Sequence, residues 1–542
     1  MKRLYLFITV IFLPIIIIRA QNDLYEYIAI NEVLMWISNN GNGSHDPRTD
    51  GSGFYWPGGI NATKSSIFED GLVWGGIVNG QIRVNGNTYR QGLQTGIILP
   101  NGEPADPLNP KYKIWRSRIN WELLPPGPER DRYEFDYLNW PIDIGAPWED
   151  VDNDGIYTPG IDNPDYIGDE IIYYVANDLD SVRSTFTYGS PPIGLEFQTL
   201  IYGYESNIEL KDVVFKKYKI INKSGTDIDS MYLSYWADND LGFASDDFIG
   251  FDSTLSLAYT YNADNNDDGV YGTPPPAVGH MIVQGPIIQG QSTDSALYNY
   301  QWIYGYKNLK ISSSGPNFKN DPSLPGDPPH GIYNGTIQFY NLMKGLTNFG
   351  DSLINPHTNQ PTTWAITGDP YFQAGWYEGP GWPGGPQSAD RRYHLNCGPF
   401  NMAPADTQEI VFAIFMAQGN SNIHSVYELK QKGLFIQHFY GNTFITEVKD
   451  DPNTMYDFSL NQNYPNPFNP TTKIEYSIGA SEFIELKVFD ILGREIATLV
   501  NEQKSVGKHR IKFDASSLTS GVYFYRLKAG DFIQSKKMLI IK

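Results

Sequence analysis

The stretch "NYPNPFNPTTKIEYSI", Asn463–Ile478, sets three prolines within six residues directly against an alternating strand. Ile474, Tyr476 and Ile478 are separated by Glu475 and Ser477, the period of a half-buried β-strand. The pattern then repeats. Ile484, Leu486 and Val488 alternate with Glu485 and Lys487, "DILG" turns the chain, and "REIATLV", "HRIKFD", "GVYFYRLKAG" and "FIQSKKMLIIK" follow. Six or seven short strands at a spacing of about ten residues, with turn residues between them, predict a β-sandwich. No helical period runs through this region. Pro465, Pro467 and Pro470 stiffen its entry and remove backbone donors, so the entry resists joining a neighbouring sheet.

Four motifs here resemble the type A C-terminal sorting domain of type IX secretion cargo, a Bacteroidota system. They are PNPF (Pro465, Asn466, Pro467, Phe468), D-x-x-G-R (ending in Gly493 and Arg494), G-x-Y (Gly521, Tyr523) and a closing strand bearing Lys537. The region is also similar to the Ig-like domain of flagellar hook-capping proteins. The resemblance implies an Ig-like, seven-stranded β-sandwich, and the apolar Phe468 among the prolines is suited to plug its open end. It also implies recognition by the outer-membrane translocon and removal by its sorting peptidase. Release, or attachment to surface lipopolysaccharide, would follow.

The other end fits that route. Lys2 and Arg3 precede a mostly apolar run, Leu4 to Ile18, and "RAQ" follows, so residues 1–20 read as a signal peptide cleaved after Ala20. Fifteen residues are short for a membrane span. The expected organisation is a signal peptide at 1–20, a β-rich body at 21–445, a linker at 446–462 and the sorting domain at 463–542. The single cysteine, Cys397, allows no internal disulfide, so an exported body must draw stability from core size or bound metal. His394, three residues before it, would fall on the opposite face of a strand, which argues against a catalytic pair.

The formal net charge is −21, yet residues 463–542 hold 12 basic and 8 acidic side chains, so the acid is concentrated in the body. Such a body would be repelled by nucleic acid and by anionic membranes, and divalent cations are its natural counterions. The chain has 37 Tyr, 52 Gly and 37 Pro, a mixture that suits many short strands joined by turns. A large, mainly β, sandwich-like body is expected. "GLVWGGIVNGQIRVNG" predicts a hairpin turning at Asn79 and Gly80. "DVVFKKYKIINKSGTDIDSMYLSYWAD" predicts another, turning between Asn222 and Asp227. The one helical candidate spans 422–441.

Three acidic stretches suggest calcium. In "DVDNDGIYTPGID", Asp150, Asp152 and Asp154 occupy positions 1, 3 and 5 of a calcium loop, Gly155 permits the turn, and Ile156 offers its carbonyl from position 7. Position 12 is Ile161, so this is no EF-hand, but Asp162 can substitute. "DNNDDGVYG" repeats the spacing with Asp264, Asn266 and Asp268. "DNDLGFASDDFIGFD" offers Asp238, Asp240, Asp246, Asp247 and Asp252, close enough in sequence to converge with the second loop. Asp, Asn and Gly are also common turn residues, the plain alternative reading.

No G-x-S-x-G, H-E-x-x-H or P-loop is present, and the histidines lack a metal-ligand spacing. "DPYFQAGWYEGPGWPGG", at 369–385, crowds Tyr371, Trp376 and Trp382 into a Gly/Pro-rich loop, either as a stacking platform for sugar rings or as a loop packed on its own aromatics. Stretches such as "GSGFYWPGG" and "YWADNDLGFASDDFIGFD" are similar to uncharacterised secreted proteins carrying the same sorting domain, a likeness that brings no known activity. The favoured expectation is a calcium-stabilised structural or adhesive module. The alternatives are a carbohydrate-binding protein with an extracellular polysaccharide partner, or a glycan-active hydrolase.

Overall fold

The computed structural model describes residues 24–318, 326–443, 458–463, 466, 468–479, 482–504, 507–530 and 532–540. The expected signal peptide, most of the expected linker, Pro465 and Pro467 lie outside these residues.

Two antiparallel sheets form the centre of the body. The larger has nine strands. Its main path runs Trp115–Arg118, Glu170–Asn177, Leu195–Gly203, Val213–Asn222, Thr407–Ala417, Ala277–Gln284, Leu257–Asn262 and Asp247–Asp252. The smaller runs Ser313–Phe318, Arg391–Met402, Ile228–Asn239, Glu69–Val78 and Gln81–Gly86. Strand composition explains why the larger sheet is central. In "EIIYYVAN", Ile172, Tyr174 and Ala176 join the core between the sheets, whereas Ile171, Tyr173 and Val175 join a second core on the outer face. The 407–417 strand divides the same way, with Ile410, Phe412 and Ile414 inward and Val411, Ala413 and Phe415 outward. Strands apolar on both faces must be covered on both.

Helices provide the outer covers. Asn422–Thr443 is helical, as its pattern predicts, and lays Val426, Leu429, Ile436 and Tyr440 on Phe415, Leu257 and Met281 of the larger sheet. On the far side, Tyr333–Met343 packs Phe339, Tyr340 and Met343 against Val73, Val84 and Trp236 of the smaller sheet. Ser181–Tyr188 lies beside it, its first turn capped by Asp180, which accepts from Val182 N at 2.9 Å and Arg183 N at 3.0 Å. The body is therefore helix, sheet, sheet, helix in section. The helices at 128–138, 181–188 and 333–343 were not expected. They are short, and each is too rich in aromatic or polar residues to show a clear apolar stripe.

The Asn79–Gly80 hairpin forms as expected. Val78 pairs with Gln81, and both turn residues have positive φ (52° and 76°), the requirement of a type I′ turn. The second expected hairpin is corrected. Val213–Asn222 pairs with 195–203 and 407–417, while Ile228–Asn239 pairs with 69–78 and 391–402. The Asn222–Asp227 segment carries the chain from one sheet to the other. The Asn222 side-chain amide anchors that crossing by donating to the carbonyls of Thr226, Met402 and Ala403.

Cys397 is fully buried, and His394 is buried on the same strand beside Phe339. Burial lowers the His394 pKa to about 4, against a hydrogen bond with Asn396 at 2.9 Å. A group depressed in the folded state contributes stability above its unfolded pKa and loses it as pH falls through the folded value. Stability should therefore drop between about pH 6.5 and 4, by up to roughly 3 kcal/mol for this one group. Denaturant melts across that window should show a shallower acid limb in His394→Gln, and an unchanged limb would contradict the assignment.

The C-terminal region is a seven-stranded β-sandwich, six of its strands within the expected 463–542 and the first, Ser459–Leu460, in the segment expected as linker. Ser459–Leu460, Thr471–Ile478 and Gly507–Asp514 form one sheet, and Glu495–Lys504, Glu482–Phe489, Gly521–Ala529 and Phe532–Ile540 form the other. Ile474, Tyr476, Ile478, Ile484, Leu486 and Val488 all point into its core, so the alternation in the sequence is the alternation of its faces.

Candidate functional site

The first acidic loop gathers a carboxylate cluster. The 148–149 and 163–164 segments pair as a short ladder and close the loop at its base. Within it, Asp150, Asp152 and Asp162 each offer an oxygen, and these lie within 4.8 Å of one another. Asp162 is buried and braces the loop, accepting from Val151 N at 2.9 Å and Thr158 N at 2.7 Å. Asp150 accepts from Asp154 N and Gly155 N at 3.2 and 3.0 Å. Gly155 has φ of 76°, which a glycine adopts without strain. Local desolvation and the carboxylates of Asp154, Asp162 and Asp150 push the Asp152 pKa up. Asp154 instead turns its carboxylate to Ile156 N at 2.7 Å, outside the cluster, and the Ile156 side chain is exposed.

The other two stretches do not gather all their carboxylates in one place. In the second, Asp264 accepts from Asn266 N, and the Asn266 amide donates to Asp268 at 2.7 Å. The side chain turned inward is Asp267, which accepts from Phe243 N at 2.8 Å and from Tyr271 N. The third stretch splits. Asp238 and Asp240 gather with Asp390 within 4.8 Å. Asp247 is buried and accepts from Leu241 N, and its pKa is pushed up by burial and by Asp246, Asp240 and Asp267. Asp252 caps Thr254 and Leu255 and pairs with Lys430 of the long helix at 3.3 Å. Arg392 reaches the second cluster, 3.4 Å from Asp238 and 3.0 Å from Asp390. Asp390 was not anticipated. It precedes a strand whose register sets Arg392 against Asp238, and nothing in local spacing discloses that register.

Of the two readings of the aromatic loop, Trp376 and Trp382 take the second, packing on one another. Trp376 is 3% exposed and packs edge-on against Trp382 at 5.1 Å, which in turn meets Phe318. Trp376 belongs to the body core and the partly buried Trp382 packs against it, so Trp376 offers no open face to a sugar. The apolar ring edges of a Gly/Pro-rich loop are better satisfied by one another than by water. Tyr371 and Phe372 remain exposed, beside Tyr427 at 4.8 and 6.2 Å. A cavity of about 330 Å³ elsewhere is lined by Tyr27, Trp36, Arg48 and Asn61, among others, without a carboxylate.

A fully buried cluster between the sheets was also missed. Lys216 Nζ donates to Asp70 Oδ1 at 2.9 Å, and His280 lies on the other side of Asp70. The signal was present as two consecutive lysines, Lys216 and Lys217, in a strand rich in apolar residues. Successive residues face opposite sides, so burying both requires two acidic partners, and Lys217 finds Glu409 at 2.8 Å.

In the sorting sandwich, the motifs are structural devices. Phe468 is buried against Phe513, and its N–H donates to Leu539 O at 3.0 Å. Asn466 accepts from Leu539 N at 2.7 Å. Asp490 accepts from Leu492 N and Arg494 N, and Arg494 Nε returns to it at 2.6 Å. Gly493 takes the positive φ of 77° that this turn needs. Gly521 opens the strand that buries Tyr523, whose hydroxyl donates to Thr519 O at 3.1 Å. Lys537 stands exposed on the last strand.

Residues 462–542 match the family described as "Secretion system C-terminal sorting domain". No curated protein matches the chain. Among solved structures, a polysaccharide lyase aligns at 8% identity with a TM-score of 0.19, over 64% of this chain and 34% of that one. The chain spans about a third of that protein's length, and a likeness at that score carries no argument. The motifs, the sandwich and the family match agree: the chain ends in a secretion system C-terminal sorting domain, and by it is a type IX secretion cargo exported to the cell surface or the extracellular space.

Proposed function

We propose that the body is a calcium-stabilised structural or adhesive module, displayed or released outside the cell by its sorting domain. The observation that carries this is the meeting of Asp150, Asp152 and Asp162 within 4.8 Å on a loop closed by its own backbone hydrogen bonds. Like charges held that close repel unless a cation lies between them, and oxygen-only donors on a turn suit calcium best. The Ile156 carbonyl can complete the set. In the 238/240/390 cluster the Arg392 guanidinium already supplies positive charge, so the first loop is the stronger candidate. A body without disulfides gains directly from such a site, because binding free energy adds to folding free energy.

Thermal melts of the secreted protein with calcium and with chelator test this. At a hundredfold excess over its dissociation constant, calcium should add about 2.7 kcal/mol. Asp162→Asn should lose most of that increment while its melt in chelator stays cooperative. Equal melting in calcium and chelator for the wild type would remove the proposal.

A glycan-binding reading rests on Tyr371, Phe372 and Tyr427, the aromatic rings that remain near solvent after Trp376 and Trp382 are withdrawn. Their mutual packing favours it less than the acidic loop favours calcium.

A further inference from the structure

Lys216 comes from the larger sheet and Asp70 from the smaller, and their side chains meet in the core between them, 1% and 0% exposed. Gly43 closes over the pair. A β-carbon there would lie 2.2 Å from Asp70 Oδ1 and 2.3 Å from Lys216 Nζ, so only glycine fits. Tyr235, Phe412, Tyr393 and the His280 ring complete the wall, with ring centroids 4.3 to 5.6 Å apart. Lys216 Nζ has two partners, Asp70 Oδ1 and the Tyr235 hydroxyl, each at 2.9 Å. An ammonium carries three protons, so one is left over in a dry site. His280 Nε2 is 3.4 Å from Asp70 Oδ2, and its Nδ1 is 2.6 Å from the Tyr393 hydroxyl. With Tyr393 donating to Nδ1, the Nε2 proton faces the carboxylate.

The geometry points to an isopeptide bond between Lys216 Nζ and Asp70 Cγ, formed within the folded chain by loss of one water and tying the two sheets together. Burial drives Lys216 toward its neutral, nucleophilic form, while Lys216 and His280 together hold the Asp70 carboxyl well below the usual carboxylate range against its own burial, so the pair rests ionised and a proton must pass from Nζ to Oδ1 before attack. Nζ attacks Cγ. Oδ2, held by the His280 N–H, becomes the amide oxygen. Oδ1 takes two protons from the original ammonium and leaves as water, and the third proton stays on the amide nitrogen. The step needs no oxidant, nucleotide or other reactant. Exclusion of bulk water by the aromatic wall and Gly43 favours condensation over the reverse hydrolysis.

Tryptic mapping of the denatured, full-length protein tests this directly. A linked species should join residues 65–83 to residues 212–217, uncleaved after Lys216, at the summed mass less about 18 Da for one water. It is expected in most molecules. Recovery of separate 65–83 and 212–216 peptides from protein that melts cooperatively would overturn the proposal. The linked species should vanish in Lys216→Met, and its persistence would place the bond elsewhere. His280→Phe should slow its appearance in pulse-labelled chains by about tenfold or more. An unchanged rate would overturn the part assigned to His280. The wild-type map decides the main question even if a variant fails to fold.

Discussion

Removal of residues 463–542 will leave the body behind the outer membrane, with the extracellular pool falling to background. The region carries its own hydrophobic core, built from Ile474, Tyr476, Leu486, Tyr525, Leu527 and Met538, and closed by Phe468. The body has separate cores in and around its two sheets, and among the described residues none of the sandwich enters them. The deletion should therefore remove the address and spare the cargo. Fractionation checks both halves of that statement. The truncated chain should accumulate in the periplasm and give the same protease-resistant body as the secreted protein. Normal levels in the medium would show that the sandwich is not the export signal. Degradation in the periplasm would show instead that the body depends on it for stability.

The second large effect is expected at Asp178, just past the end of the 170–177 strand. Its carboxylate is fully buried and accepts four hydrogen bonds: Gly194 N and Leu195 N at 2.8 Å, Ile193 N at 3.0 Å and Trp74 Nε1 at 3.3 Å. Three of those donors belong to the entry of the 195–203 strand, and the fourth reaches across from the smaller sheet. Burial pushes the Asp178 pKa up, and the three backbone N–H groups and the indole oppose that shift. In Asp178→Ala four donors lose their acceptor in a place water does not reach. At about 1–3 kcal/mol for each orphaned group, even partial relaxation leaves a loss of about 4 kcal/mol or more. Asp178→Asn keeps one acceptor oxygen and should fall between the alanine variant and the wild type. Urea denaturation of the two variants checks the order, and a loss under about 1 kcal/mol in the alanine variant would contradict it.

How far the sequence could be read depended on whether the determining contact was local. In the terminal sandwich one face of each strand is wet, so Ile474, Tyr476 and Ile478 announce their side, and the prolines and the Asp490–Arg494 turn announce the rest. Asn79–Gly80 was legible for the same reason, since a type I′ turn is a two-residue property. The body strands are buried on both faces, so their composition names them as strands without naming their partners. Hence 213–222 and 228–239 looked like a hairpin and are in different sheets. The candidate site divides likewise. Asp162 was found because its partners are 10 and 12 residues away. Asp390 and the Asp70–Lys216–His280 cluster were not, because they depend on pairings across 146 residues or more. For Trp376 the sequence left two readings open, a platform or a packed loop, because ring composition does not disclose which way a loop folds down.

The positions of the last two body strands bear on when the body can fold. Arg391–Met402 lies inside the smaller sheet, between 313–318 and 228–239, and Thr407–Ala417 lies inside the larger, between 213–222 and 277–284. A chain emerging from its N-terminus has both sheets split, the larger near its middle and the smaller beside its 313–318 edge strand, until residue 417 is free. Until then, four strand edges are bare and adhesive. Insertion of one late hairpin-like segment then closes both sheets in a single event. The body has no stable half, and an interrupted chain is a hazard for aggregation rather than a partly working product.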